Sequence, residues 1–197
     1  MGRKNLKEPR QKEIIQAFYK LAKKEGLENA SIAKTAELIN VNPSLIMHYF
    51  KSKDYLVYGL IEFILDKYLL IYNLNNKENN NNPKTVLFKT IDNIFSKKWN
   101  ALFDDGVSYS CYSLTFRNKI IRQKYKILLD TLRKSLEELI IACNNAKQLS
   151  VKKPSATADM IFILVDGAYY YLSLVDNKDE YTKKLSQYKK QALNLLQ

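Results

Sequence analysis

Between Gly26 and Lys53 the chain carries a run of residues that stop and start helices, so closely spaced that only two short helices fit among them. Gly26 follows a helical stretch as its C-terminal cap. Ser31 can cap a second helix reaching about Ile39. Asn40 stands where the chain must turn sharply, and Asn tolerates the left-handed conformation better than any residue except Gly. Asn42 can cap a third helix, and Pro43 fits its first position, where no backbone N–H is needed. Ser52 then caps a fourth. The third helix is confined to Pro43–Tyr49. Two short helices joined by about three residues, braced by a longer helix over Pro9–Glu25, have the shape of a helix-turn-helix.

The rest of the sequence is also helical in period. Ile14, Phe18, Leu21 and Ala22 share one face of the first helix. The fourth helix is expected over Lys53–Asn73, followed by the polar loop Asn73–Lys84. Pro83 restarts a helix with Val86, Leu87, Ile91, Ile94 and Phe95 on one stripe, running to about Phe103 and broken by Asp104, Asp105 and Gly106. Helices over Val107–Phe116, Asn118–Lys147, Ser155–Val175 and Asp179–Leu196 complete the chain. No period-2 stretch stands out, and only 5 Gly and 4 Pro occur in 197 residues, which disfavours a turn-rich β fold. The expectation is an all-α chain of about nine helices. It divides into a basic tail (1–9), a helix-turn-helix domain (10–56) and a larger helical domain (57–197).

Charge narrows the partner. Lys and Arg number 32 against 20 Asp and Glu, a net charge of +12. Such a surface draws nucleic acid or an anionic membrane face. Residues 1–53 hold eleven Lys/Arg and five Asp/Glu, half the excess in about a quarter of the chain, and that quarter holds the helix-turn-helix. The balance moves towards double-stranded DNA. No apolar run is long enough to span a membrane, since Met160–Val165 breaks at Asp166. MGRKNLKEPR has no apolar core behind it, so no secretory signal is expected. Cys111 and Cys143 are far apart and form no CxxC, which suits a reducing compartment. The expected place is the cytoplasm, on the nucleoid when bound to DNA. With one His and two distant Cys there is no metal set, and no Gly-rich phosphate loop occurs, so neither an enzyme nor a cofactor is expected.

In the third helix Ile46 and Phe50, four apart, face inward. Ser44, Leu45, Met47 and His48 are then the exposed set. Ser44 can donate to a phosphate or a base edge, while Leu45 and Met47 can touch a thymine methyl. His48 and Tyr49 can reach phosphates. The free N–H groups at the start of the fourth helix, with Lys53, make an anion site beside Lys51. Ser31, Lys34, Asn42 and Pro43 complete the expected DNA-facing set. Taken singly, each residue has an ordinary alternative: His48 as a structural hydrogen-bonder, Met47 as core, Lys51 and Lys53 as a solvated face. The cap, turn, short helix and basic clamp gain meaning by occurring together and in order.

The stretch SIAKTAELINVNPSLIMHYFKSKDYL resembles the DNA-binding region of TetR-family transcriptional regulators, on Ala36, Val41, Ile46, His48, Tyr49, Phe50, Lys51, Lys53 and Leu56. The spelling ASIA…VN.SLI.HYF, with ATADMIFILVDGAYYYLSL further on, is similar to the choline-responsive (BetI-like) branch. Three positions depart from the family pattern. Asn40 replaces the usual turn Gly. Ala33 stands where many members have a phosphate-contacting Arg, which Lys34 can replace. Met47 stands where many have Tyr.

The resemblance implies that the C-terminal helices bind a small effector and form a two-fold homodimer, and that the protein is a repressor released from a palindromic operator. Apolar surface on more than one face of the last two helices agrees with a four-helix dimer interface, expected at Val165, Ala168, Leu172, Leu185, Tyr188 and Leu193. Such a dimer would set two recognition helices about 34–36 Å apart. Trp99, Phe103, Tyr109, Tyr112, Phe116, Tyr125 and Tyr169 can line an effector pocket, or can be simple core. The competing reading is a nucleoid-associated or structural DNA-binding protein on the same fold, with no small ligand.

Overall fold

The computed structural model describes residues 7–73, 82–97 and 104–197. Among them are nine α-helices, one 3-10 turn and no strand. They are α1 (Lys7–Glu25), α2 (Ile32–Leu38), α3 (Pro43–Phe50), α4 (Lys53–Asn73), α5 (Pro83–Ile94), α6 (Asp105–Ser113), the 3-10 turn Leu114–Phe116, α7 (Lys119–Asn145), α8 (Pro154–Leu172) and α9 (Lys178–Asn194). The all-α expectation holds.

Where the boundaries differ from expectation, side-chain chemistry explains them. α1 begins at Lys7, so Pro9 sits inside the first turn, where a missing N–H breaks no intrahelical bond. α5 ends at Ile94 instead of running to about 103. The Tyr169 hydroxyl lies 2.7 Å from the Ile94 carbonyl and 3.2 Å from that of Ser96, and so satisfies backbone groups that a continuing helix would have used. Asp105 and Gly106 open α6, because the Asp104 carboxylate caps it by accepting from the Val107 N–H at 3.0 Å.

The chain forms two compact units, Met1–Asp66 with Phe103–Tyr125, and Lys67–Leu102 with Lys126–Gln197. In the first, Ile14, Phe18, Ile46, Leu56 and Leu60 are fully buried between α1, α3 and α4. Gly59 of α4 sits at a close approach in this packing: a Cβ there would stand 3.0 Å from Phe50 Cε1 and 3.0 Å from Ile15 Cδ1. The same unit includes α6 and the start of α7. The Tyr19 hydroxyl accepts from the Asp104 N–H at 2.9 Å, and burial is the main cause that raises the Tyr19 pKa.

In the second unit Leu87, Ile91, Leu132, Leu136, Ile140 and Ile161 make the core. Asn144 pins the α7–α8 loop by bonding both the carbonyl and the N–H of Val151, at 2.8 and 3.0 Å. Val165, Ala168, Leu172 and Leu185, expected at a dimer interface, are buried within this unit. Tyr188 and Leu193 are half-buried. The apolar residues that α8 leaves in solvent are different ones, Met160, Ile163, Tyr170 and Tyr171, and Leu174, two residues past its end, is 73% exposed. α8 is apolar around most of its girth, so sequence alone could not assign its inner and outer faces.

Candidate nucleic-acid interface

Ser31 has extended backbone and its hydroxyl accepts from the Lys34 N–H at 3.2 Å, capping α2. The hydroxyl of Thr35, fully buried, donates back to the Ser31 carbonyl at 2.7 Å. α2 ends at Leu38, and two residues on Asn40, with φ 52°, supplies the left-handed residue the sequence called for. The Val41 N–H then returns to the Ala36 carbonyl at 2.9 Å. Asn42 caps α3 by accepting from the Ser44 N–H at 2.9 Å, with Pro43 at the first helical position.

α3 is anchored by Ile46 and Phe50, 0% and 7% exposed. Asn42, Pro43, Ser44, Met47 and His48 lie in solvent, and Leu45 and Tyr49 are half-buried. The His48 and Tyr49 rings meet edge to face, 5.2 Å between centroids. The tip of α3 therefore offers a hydroxyl, a thioether and an imidazole on a rigid eight-residue helix. This combination suits base edges, thymine methyls and phosphates.

Two basic residues behave differently from simple solvated cations. The Lys34 ammonium pairs with Glu25 at 2.5 Å, which bridges α1 to α2 and leaves donors on the ammonium for a phosphate. Lys53 donates to the Glu28 carbonyl at 2.9 Å and ties the start of α4 to the α1–α2 loop. Lys51 is exposed with φ 36°, a region that non-Gly residues rarely occupy. No local signal marks this geometry, which goes with the closeness of α3 and α4, two residues apart.

The aromatic residues expected to line a pocket fall into separate places. Tyr112 meets Phe116 and Tyr125 edge to face, at 5.8 and 5.6 Å, within the first unit. Tyr125 is buried, whereas Tyr109, Tyr112 and Phe116 are exposed, Phe116 by 70%. Tyr169 belongs to the second unit, where burial raises its pKa. Trp99 and Phe103 lie outside the described residues. A shallow, open surface pocket of about 270 Å3 in the second unit is lined by Lys97, Val175, Asp176, Lys178 and Tyr181, none of them expected from the sequence. Among the described residues no group of His, Cys, Asp or Glu could hold a metal ion, and no helix is long and apolar enough to cross a membrane.

Asn118 joins the start of α7 to α4. Its side chain caps α7 through the Ile120 and Ile121 N–H groups, at 3.0 and 3.1 Å, and donates to the Tyr58 hydroxyl of α4 at 2.8 Å. An Asn ahead of a helical run was the visible signal; its partner on α4 was not.

Residues 82–197 match the family described as tetracyclin repressor-like, C-terminal domain. No curated protein matches the sequence. Among solved structures, the chain is similar to a TetR transcription regulator from Haloarcula marismortui, with 15% identity over 96% of this chain and 97% of that one and a TM-score of 0.82. A TetR-family transcriptional regulator from Cytophaga hutchinsonii aligns at 14% identity over 98% of both chains, with a TM-score of 0.79. A transcriptional regulator from Rhodococcus sp. Rha1 aligns at 17% identity over 94% of this chain and 95% of that one, with a TM-score of 0.73. At these identities the structural likeness speaks to the fold.

Proposed function

The chain belongs to the tetracyclin repressor-like family of transcriptional regulators, and from that premise we propose that it is a homodimeric repressor that reads a palindromic operator with α3 and is released by a small-molecule effector. The observation that carries this reading is α3 itself. Asn42 and Pro43 fix its start, Ile46 and Phe50 hold it to the core, and Ser44, Met47 and His48 stand in solvent. On this reading Ser31, Lys34, Lys51 and Lys53 act on the sugar-phosphate backbone, while Ser44, Leu45 and Met47 face bases. DNA places the protein in the cytoplasm, on the nucleoid when bound.

The dimer is carried by the outer face of α8. Met160, Ile163 and Tyr170, at spacings of three and seven, form one exposed apolar stripe with Gly167 in its middle, and exposed Leu174 follows just past the helix end. A second copy across a two-fold axis would bury it. Release is a linkage effect: an effector lowers operator affinity by its preference for the arrangement that misplaces the recognition helices. α4 contributes residues to both units and is the element through which that preference is expressed. The cluster of Tyr112, Phe116 and Tyr125 supplies apolar wall for an effector. The choline-responsive branch rests on the sequence spelling alone, and the effector's chemistry is left open.

A structural, nucleoid-associated role on the same fold is the competing reading, and family membership tells against it. Selection from random duplexes at near-physiological salt separates the two. The regulator reading expects a palindromic consensus, weakened by Ser44→Ala and His48→Ala. A protein that recovers no consensus is not a sequence-specific regulator.

A further inference from the structure

The turn joining α6 to α7 and the first turn of α7 carry Arg117, Lys119 and Arg122, all exposed. Arg122 buttresses the turn: its Nε donates to the Thr115 carbonyl at 2.9 Å, and its Nη2 lies 3.4 Å from that of Phe116. Arg117 and Lys119 make no side-chain hydrogen bond or ion pair among the described residues. The first turn of α7 holds no acidic residue. Cations at a helix N-terminus oppose its macrodipole, so helix stability disfavours this cluster. Arg122 is offset by its bonds to the turn, whereas Arg117 and Lys119 have no such partner among the described residues, and a local rule broken without compensation points to function.

Two contacts locate the cluster. Asn118 meets Tyr58 of α4, and six residues further along α7, Lys124 pairs with Glu62 of α4. Sequence number rises together on the two helices, so α7 runs beside α4 in the same direction. Their N-terminal ends therefore lie at one end of the unit. Tyr58 is five residues beyond Lys53, a rise of about 7.5 Å. That is of the order of an extended Arg or Lys side chain. The start of α4 is the part of the unit assigned above to the DNA backbone.

We propose that Arg117 and Lys119 form a second phosphate-contacting surface, which extends the operator interface from the helix-turn-helix onto the flanking duplex. The proposal rests on the reading of α3 as the recognition helix. Phe116 and Ile120, 70% and 61% exposed, adjoin the cluster. Cations beside apolar side chains also suit an anionic membrane surface. Continuity with the start of α4 favours DNA.

The test uses the full-length protein and the duplex that the wild type selects from a random library, prepared with long and with trimmed flanks. The Arg117→Gln, Lys119→Gln double variant is compared with the wild type across a salt series. The wild type binds the long duplex more tightly than the trimmed one, and the variant binds both alike. The slope of log K against log salt falls by about two per bound protomer, since each phosphate contact contributes about 0.9. Each single variant shows about half the effect. The consensus is unchanged, and the melting midpoint holds or rises because N-terminal cations have been removed. Equal affinity and slope on both duplexes overturn the proposal while α3 stands. Lost binding to phosphatidylserine vesicles with DNA binding intact overturns it in favour of a membrane. If the wild type selects no consensus, the reading of α3 fails and this proposal falls with it.

Discussion

A methyl group added at Gly59 tests how firmly the recognition helix is held. The new Cβ would stand 3.0 Å from Phe50 Cε1 and 3.0 Å from Ile15 Cδ1, against about 3.5–4.0 Å for a comfortable carbon contact. Ile15 is half-buried, and its terminal methyl can turn aside. Phe50 is 7% exposed and ends α3, so its ring moves only if the last turn of α3 moves. In a helix interior, Ala gains about 1 kcal/mol over Gly from propensity. Overpacking a close-packed site costs about 1–3 kcal/mol. The expected net for Gly59→Ala is a loss of about 1 kcal/mol, and for Gly59→Val about 3 kcal/mol, since Val adds two methyls and β-branching. Urea unfolding followed by circular dichroism reads both. Operator affinity should fall for the Ala variant even where it is almost wholly folded, because Phe50 and the base-facing residues share one short helix. An Ala variant more stable than the wild type by about 1 kcal/mol, the unopposed propensity gain, would refute the packing argument.

Three further outcomes follow from other parts of the structure. Lys51→Gly relieves a positive-φ Lys and should hold or raise stability by up to about 1 kcal/mol while weakening operator binding; a clear loss of stability would show that the Lys51 side chain holds the α3–α4 turn. Gly167 has nothing within 4 Å of its Cβ position in the protomer. Gly167→Leu should leave the protomer's helix content intact yet raise the dimer dissociation constant at least tenfold by analytical ultracentrifugation, and an unchanged constant would remove the outer face of α8 as the interface. Cys111 is fully buried, and burial pushes its thiol up to about 12. A thiol reagent at pH 8 should therefore leave it unmodified until denaturant is added, and rapid native modification would contradict its placement in the core.

The helix-turn-helix was legible because its signals are local. Ser31, Asn40, Asn42 and Pro43 each act through their own backbone, and the structure shows each in the expected role. The division of α8 into inner and outer faces was not legible. Val165 and Leu172 differ little in hydropathy from Ile163 and Leu174, and only the elements packed against α8, which include α9, α7 and the end of α5, decide between them. The sequence marks Lys34 as a phosphate contact and Lys53 as a phosphate clamp or a solvated cation, and neither reading includes a partner within the protein. Their engagement with Glu25 and the Glu28 carbonyl depends on how the α1–α2 loop returns to α2 and α4. Asn118 is the same case at longer range, since its cap is local and its Tyr58 partner lies sixty positions away.

The central claim is that α3 reads sequence, and the most direct measurement is a specificity ratio. The wild type is titrated at about 0.15 M salt with its selected duplex and with a scrambled duplex of equal length and composition. The account predicts tighter binding to the selected duplex by a factor of about 10³ or more, falling at least tenfold in Ser44→Ala. A ratio within tenfold for the wild type, with affinity that collapses as salt rises, would leave only the electrostatic attraction of a +12 chain for a polyanion. It would contradict the assignment of α3 as a recognition helix.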